Sequence, residues 1–379
     1  MTKNQIIRCA AFSVIVCLLL VLMCELFENT NTSNYATRMY SYRNFNEDTV
    51  DAVMIGTSGI DRYWIAAKAY EDYGMTVYPL AIDSLPAWLY VDMVDYALKY
   101  QNPELIILDP RAFCQDNEAE RMDVRSRRVL DSMPRFSAQW FRTAFKSMEM
   151  IHAVDSSRPK FDISFLLSFI RFHPAWQDAE LTYLWKHIGN RQHKYGGFYM
   201  DSTLTTVVEV QAPYVYDAEG RAALNEMSEQ ALYDVVEHIR SKGVQVLVLD
   251  TPQFPKELEM KRLNTVRDKM EEMGVPFVSY YRPGEDGPFT LDLDPETDFY
   301  NAGHVNYYGA EKFTEVFAAY LDANYDLPDR RNDPQAQAHW DGVYDKIGLQ
   351  IQEFISPSKK YERSLRGAWE RLMDELAGE

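Results

Sequence analysis

The strongest constraint on this chain's fold is an order that repeats near its front. Val50–Ile55 is a short apolar run that ends in Gly56-Thr57-Ser58-Gly59, and a helical stretch follows over Asp61–Tyr73. Thr76–Ile82 repeats the strand pattern, a helix is expected over Leu85–Lys99, and Leu105–Leu108 reads as a third strand. Short β-rich runs alternating with helices point to a parallel sheet, because each parallel crossover lays a helix over a sheet face. The alternation resumes with a helix over Ala222–Ser241, a strand at Val244–Leu249, a helix over Pro255–Met273, a strand within Val275–Tyr281 and a last helix over Tyr308–Leu321. Between the two halves, residues 115–220 are rich in Arg and aromatic residues and read as an insertion of short helices. The expected fold class is α/β, a three-layer sandwich around a mainly parallel sheet, with one domain over 48–324. Residues 325–379 read as a linker and a charged helical tail packed on that domain.

Ahead of the domain, the 16 residues from Cys9 to Cys24 carry no charge, and Ile6 and Ile7 extend the apolar stretch behind Arg8. A membrane crossing needs about 20 apolar residues, which Ile6–Phe27 supplies if Arg8 and Glu25 extend their charged ends to the interfaces. Lys3 and Arg8 precede the run, whereas Glu25 and Glu28 follow it. That asymmetry places the amino terminus in the cytoplasm and the remaining chain outside. No small-x-small cleavage site follows the run, and Met23 is too large for a lipoprotein site at Cys24. Residues 1–27 are therefore read as a cytoplasmic stub and uncleaved anchor, with 28–47 as a juxtamembrane connector and the cell membrane, crossed once, as the location.

Hydrophobic residues at 46% and charged residues at 25% exclude whole-chain disorder. The net charge of −18, from 39 Lys and Arg against 57 Asp and Glu, argues against a nucleic-acid partner, which needs clustered cations. Without Lys3 and Arg8 the rest carries 37 cations against 57 anions, or −20, so any grip on an anionic polymer has to be local. Arg121, Arg125, Arg127 and Arg128 form the one obvious basic cluster. Three of the four cysteines lie in the apolar segment, leaving Cys114 without a disulfide partner outside it. There is no CxxC or HExxH, His187 and His193 read as unrelated surface residues, and no metal or cofactor is expected. Trp140, Trp176 and Trp185 of the insertion are candidates for stacking on sugar rings or resting on the membrane surface, and core packing is the expected role of most of them.

Functional groups in open parallel sheets gather at the carboxyl ends of strands. Ser58 stands at such an end, where a small-residue turn exposes its hydroxyl beside backbone N–H groups that can receive an oxyanion. The plain alternative is a helix N-cap, a role for which Ser is favoured. A second element, Asp298-Phe-Tyr-Asn301-Ala-Gly-His304, sits in a polar loop before the last helix. A His there can take the Ser proton through one ring nitrogen if a neighbour orients the other.

Together these blocks resemble the SGNH/GDSL hydrolase superfamily, with GTSG at 56–59 as the first block and NAGHVNYYGAEKFT at 301–314 as the last. YPLAIDSLPAW at 78–88 is similar to the second block of its membrane-anchored branch, which includes the D-alanyl-lipoteichoic acid protein DltD and the alginate O-acetylation proteins. His193-Lys-Tyr-Gly196-Gly197-Phe198 also resembles segments of that branch; its plain role is a turn. The resemblance spans roughly residues 50–322, of which about 30 are motif-grade. It implies Ser58 as nucleophile and His304 as base, with Asn301 or Asp298 orienting the imidazole, and Gly59, Asp83 and Ser84 around the oxyanion. It departs from the family in carrying Asn301 where an Asp is usual and in lacking the G-x-N-D block, whose place Asp250-Thr251-Pro252-Gln253 occupies.

The first expectation is a membrane-anchored extracytoplasmic serine esterase or O-acyltransferase acting on acyl esters of a cell-envelope polysaccharide. Its partner, by resemblance, is a membrane-bound O-acyltransferase. The second is a catalytically silent scaffold of the same fold. Phosphate-ester chemistry at the GTSG turn ranks below both, for want of a metal cluster and a P-loop Lys.

Overall fold

The computed structural model describes residues 2–26, 33–171, 193–207, 219–280, 291–294 and 296–356. Trp176, Trp185, His187, the end of the apolar run at Phe27 and the tail beyond 356 lie outside these residues.

Five strands form one parallel sheet: β1 (Ala52–Gly56), β2 (Val77–Ala81), β3 (Leu105–Leu108), β4 (Gln245–Asp250) and β5 (Phe277–Ser279), in the order β2-β1-β3-β4-β5. β1 and β3, the inner strands of the first half, bury every residue, as a sheet covered by helices requires. The helices are α1 (Lys3–Leu26), α2 (Ser33–Arg43), α3 (Ser58–Asp61), α4 (Ala66–Tyr73), α5 (Tyr90–Tyr100), α6 (Ala119–Ser132), α7 (Ala138–Val154), α8 (Ser168–Arg171), α9 (Glu226–Ser241), α10 (Glu257–Glu272), α11 (Tyr307–Asn324) and α12 (Pro334–Trp340). A further helix covers 343–356. α5 packs on β1 and α9, while α4 packs on β2 and α11. The chain moves outward from β1 to β2, then crosses back to β3, so the strand order reverses between β1 and β3. Ligand crevices of open α/β sheets form at such a reversal.

α1 is long and apolar enough to cross a membrane, and its apolar side chains are exposed, Phe12 and Leu18 among them. Its 24 residues span roughly 36 Å, more than a bilayer's hydrocarbon core of about 30 Å.

Three expectations need correction. The segment read as a connector is part of the domain: α2 buries Arg38, Met39 and Tyr42 completely, because Arg38 bonds to Ala81 O (2.7 Å) and Gly197 O (2.7 Å) and pairs with Asp61 (2.7 Å). The helix expected over Asp61–Tyr73 is broken between α3 and α4, which turns Arg62 and Tyr63 toward the loop before α11. Two of the four arginines in the insertion's cluster are spent on internal pairs: Arg127 with Asp123 and Asp162, Arg128 with Asp83. Trp140 is a core residue, its Nε1–H donating to Leu130 O at 3.1 Å. The tail's first part closes on the domain through buried Ala336, Trp340, Ile347 and Ile351.

Candidate active site

Ser58 opens α3 directly after β1. The N-cap of that helix is Thr57, whose Oγ1 accepts the Gly59 N–H at 3.3 Å and whose own N–H donates to Asp109 Oδ2 at 2.9 Å. The capping role is therefore filled by Thr57, and the Ser58 hydroxyl is free for another partner. It donates to His304 Nε2, at 2.8 Å.

His304 reaches that position through a small hairpin that sequence reading missed as structure. β6 (Phe299–Asn301) and β7 (His304–Val305) pair antiparallel across the two-residue turn Ala302-Gly303, with Asn301 opposite His304. Residues three apart thus become cross-strand neighbours, which brings Asn301 Oδ1 to 2.9 Å from His304 Nδ1. Asn301 Oδ1 also accepts the Gly303 N–H at 2.8 Å, so the atom facing the ring is the oxygen and Nδ1 carries the proton. Nε2 is left with its lone pair toward Ser58, the tautomer that a general base needs. The Tyr300 ring stacks on the imidazole with centroids 5.5 Å apart.

The hairpin is held against α11. Asn306 caps that helix by accepting the N–H groups of Tyr308 (3.0 Å) and Gly309 (3.1 Å), and Gly309 approaches so closely that a Cβ would sit 2.4 Å from Asp298 O. The Asp298 carboxylate takes the Asp294 N–H (2.8 Å) and Lys312 Nζ (2.7 Å), and makes no hydrogen bond to His304. Of the two orienting candidates, Asn301 is in contact and Asp298 braces the loop. Asp83 bonds to Arg128, and Ser84, at φ +56°, is 3.4 Å from Asp83 Oδ1; neither hydrogen-bonds to Ser58, His304 or Asn301. Gly59 lies next to Ser58, under the Arg111 guanidinium, where a Cβ would be 2.6 Å from Arg111 Cζ.

Two arginines complete the site, and neither was singled out from the sequence. Arg62 Nη1 donates to His304 Nε2 at 3.2 Å while its guanidinium stacks over the Tyr199 ring at 4.3 Å. Arg111, just past β3, donates to Thr251 Oγ1 at 2.7 Å and covers the Tyr63 ring at 5.2 Å; Thr251 Oγ1 in turn donates to Gly59 O at 2.9 Å. Burial, then Arg62 and Arg111, push the His304 imidazole down to about 2. The ring is thus a neutral base flanked by fixed positive charge and oriented by an amide. Arg111 was discoverable, since it follows a strand's carboxyl end; Arg62 was hidden by the expected continuous helix. Among the described residues no group of three His, Cys, Asp or Glu is placed to hold a metal ion.

Compared with known proteins, the chain matches no family model and no curated protein.

Proposed function

We propose that this chain is a membrane-anchored serine esterase or O-acyltransferase of the SGNH type, a three-layer sandwich whose ectodomain acts outside the cell on acyl esters of an envelope polysaccharide. The observation that carries the reading is the relay Ser58 Oγ to His304 Nε2 (2.8 Å) and His304 Nδ1 to Asn301 Oδ1 (2.9 Å) at the β1/β3 reversal. In the first step Ser58 Oγ attacks the ester carbonyl as its proton passes to Nε2, and the oxyanion faces the Ser58 N–H at the start of α3, the Gly59 N–H being held by Thr57 Oγ1. His304 then returns the proton to the departing alcohol oxygen, leaving an acyl-Ser58. An acceptor hydroxyl repeats these steps in reverse: water for an esterase, a sugar for a transferase. The anchor α1 keeps this chemistry at the membrane surface, where a membrane-bound O-acyltransferase partner delivers acyl groups.

A second reading is favoured by one observation: Arg62 competes with Ser58 for the single Nε2 lone pair, and no carboxylate supports the imidazolium. A silent scaffold would tolerate that arrangement. Hydrolysis of p-nitrophenyl acetate by the detergent-solubilised chain separates the two. The enzyme reading expects turnover that Ser58→Ala and His304→Ala each abolish; wild-type turnover no higher than in those variants would leave the scaffold.

A further inference from the structure

Away from Ser58, α2, the His193–Gly197 loop and the segment 338–346 enclose a cavity of about 310 Å³, within the size range of small-ligand sites. Its loop is shaped by two left-handed glycines: a Cβ on Gly196 (φ +58°) would meet Trp340 at 2.8 Å, and one on Gly197 (φ +88°) would meet Pro79 at 2.7 Å. His193 Nδ1 accepts the N–H groups of Tyr195 (3.4 Å) and Gly197 (3.3 Å), so its proton is on Nε2. His339 Nε2 accepts the Asn46 N–H at 3.2 Å, which puts the proton on Nδ1, and its ring stacks on Phe45 at 4.2 Å. Lys194 and Lys346 line the same cavity and form no hydrogen bond or ion pair with a described residue. No carboxylate is among the described residues that line it, although the chain carries 57 acidic residues against 39 basic ones.

We propose that this cavity binds a small phosphate ester. Two ammonium groups and two ring N–H donors, with no carboxylate among the described lining residues, suit a group with a charge of about −1.5 to −2 and three acceptor oxygens better than a single carboxylate. Phe45, Tyr78 and Val343 supply an apolar wall for the organic part. Sugar phosphates and the headgroups of anionic lipids share this chemistry.

The test is calorimetric titration of the full chain in detergent with glucose 6-phosphate, and with glucose as the uncharged control. We expect saturable one-site binding of the phosphate only, weakened at least about tenfold by Lys194→Gln or Lys346→Gln and lost in the double variant. The melting temperature should not move, since neither lysine has a side-chain partner among the described residues. Ser58→Ala should bind like wild type, which separates this site from the proposed catalytic one. In a second arm, phosphatidic acid in phosphatidylcholine nanodiscs either displaces glucose 6-phosphate, identifying a lipid headgroup as the ligand's source, or leaves it bound, identifying a soluble ester. No binding in either arm, or equal binding by the double lysine variant, would overturn the proposal.

Discussion

Replacing Asn301 by Asp puts a charge where the site now holds an amide dipole. Both bonds of Asn301 Oδ1, to His304 Nδ1 at 2.9 Å and from Gly303 N–H at 2.8 Å, can pass unchanged to a carboxylate oxygen. The imidazole is held at about 2 by burial first, then by Arg62 and Arg111, against an ordinary 6.5. At 1.36 kcal/mol per unit, that disfavours the imidazolium by about 6 kcal/mol before solvent screening. A carboxylate about 4 Å from the ring charge returns about 4 kcal/mol at an effective dielectric of 20. Because only part of the charge has developed in the transition state, we expect kcat/KM for p-nitrophenyl acetate to rise about 10²- to 10³-fold. The reverse change in a Ser-His-Asp triad costs about 10⁴. The assay is a pH profile from 4 to 9 on the full chain in detergent, with Asn301→Ala and Asn301→Asp/Ser58→Ala as controls. Wild type should show no inflection near 6.5, and Asn301→Asp should bring an acid limb up into the measured range. A rate for Asn301→Asp at or below that of Asn301→Ala would refute the reasoning.

Three further outcomes follow from the same contacts. Arg38→Ala leaves Asp61 buried without its cation, and burial already lifts that carboxyl above its ordinary range, so urea unfolding should show a loss of about 3–5 kcal/mol. Gly309→Ala drives a Cβ into Asp298 O at 2.4 Å, so the hairpin must lift off α11; denaturation should register a loss of about 1–3 kcal/mol, and esterase activity should drop because His304 rides on that hairpin. Burial, with Arg38 beside His193, holds His193 at about 3, and His304 sits at about 2, whereas both titrate near 6.5 when unfolded. The unfolded chain then binds more protons below 6.5, so stability present above that pH is lost on acidification toward 3, by about 4 kcal/mol at pH 5 before screening. A His193→Asn/His304→Asn variant should lose correspondingly less between pH 7 and pH 5; an equal loss in both chains would count against the half-buried neutral histidines.

Much of the frame was legible because strand and helix periods are local properties. The strands at 50–55, 76–82 and 105–108 are buried runs whose composition alone marks them. Ser58 and His304 stood out by position, at a strand end and before a helix, yet their 2.8 Å approach spans 246 residues and is set by packing. What sequence could not decide was competition between neighbours. Thr57 and Ser58 are both good caps, and the Asp109 carboxylate that holds Thr57 comes from just past the end of β3. Asn301 and Asp298 were equal candidates until the Ala302-Gly303 turn set Asn301 opposite the imidazole, while Lys312 drew Asp298 away. Arg62 was invisible because a helix pattern over 61–73 gives no sign of the break that swings its side chain onto His304. The connector was misjudged for a related reason: polar α2 is tied down by Arg38, whose partners lie far along the chain.

The central claim is that Ser58 is a nucleophile activated by His304. Its most direct measurement is mass-spectrometric mapping of the full chain in detergent after reaction with a fluorophosphonate. We expect a single covalent adduct on Ser58, absent in Ser58→Ala and slowed at least about a hundredfold in His304→Ala. An unmodified Ser58 in wild type, or labelling that proceeds equally fast without His304, would contradict it.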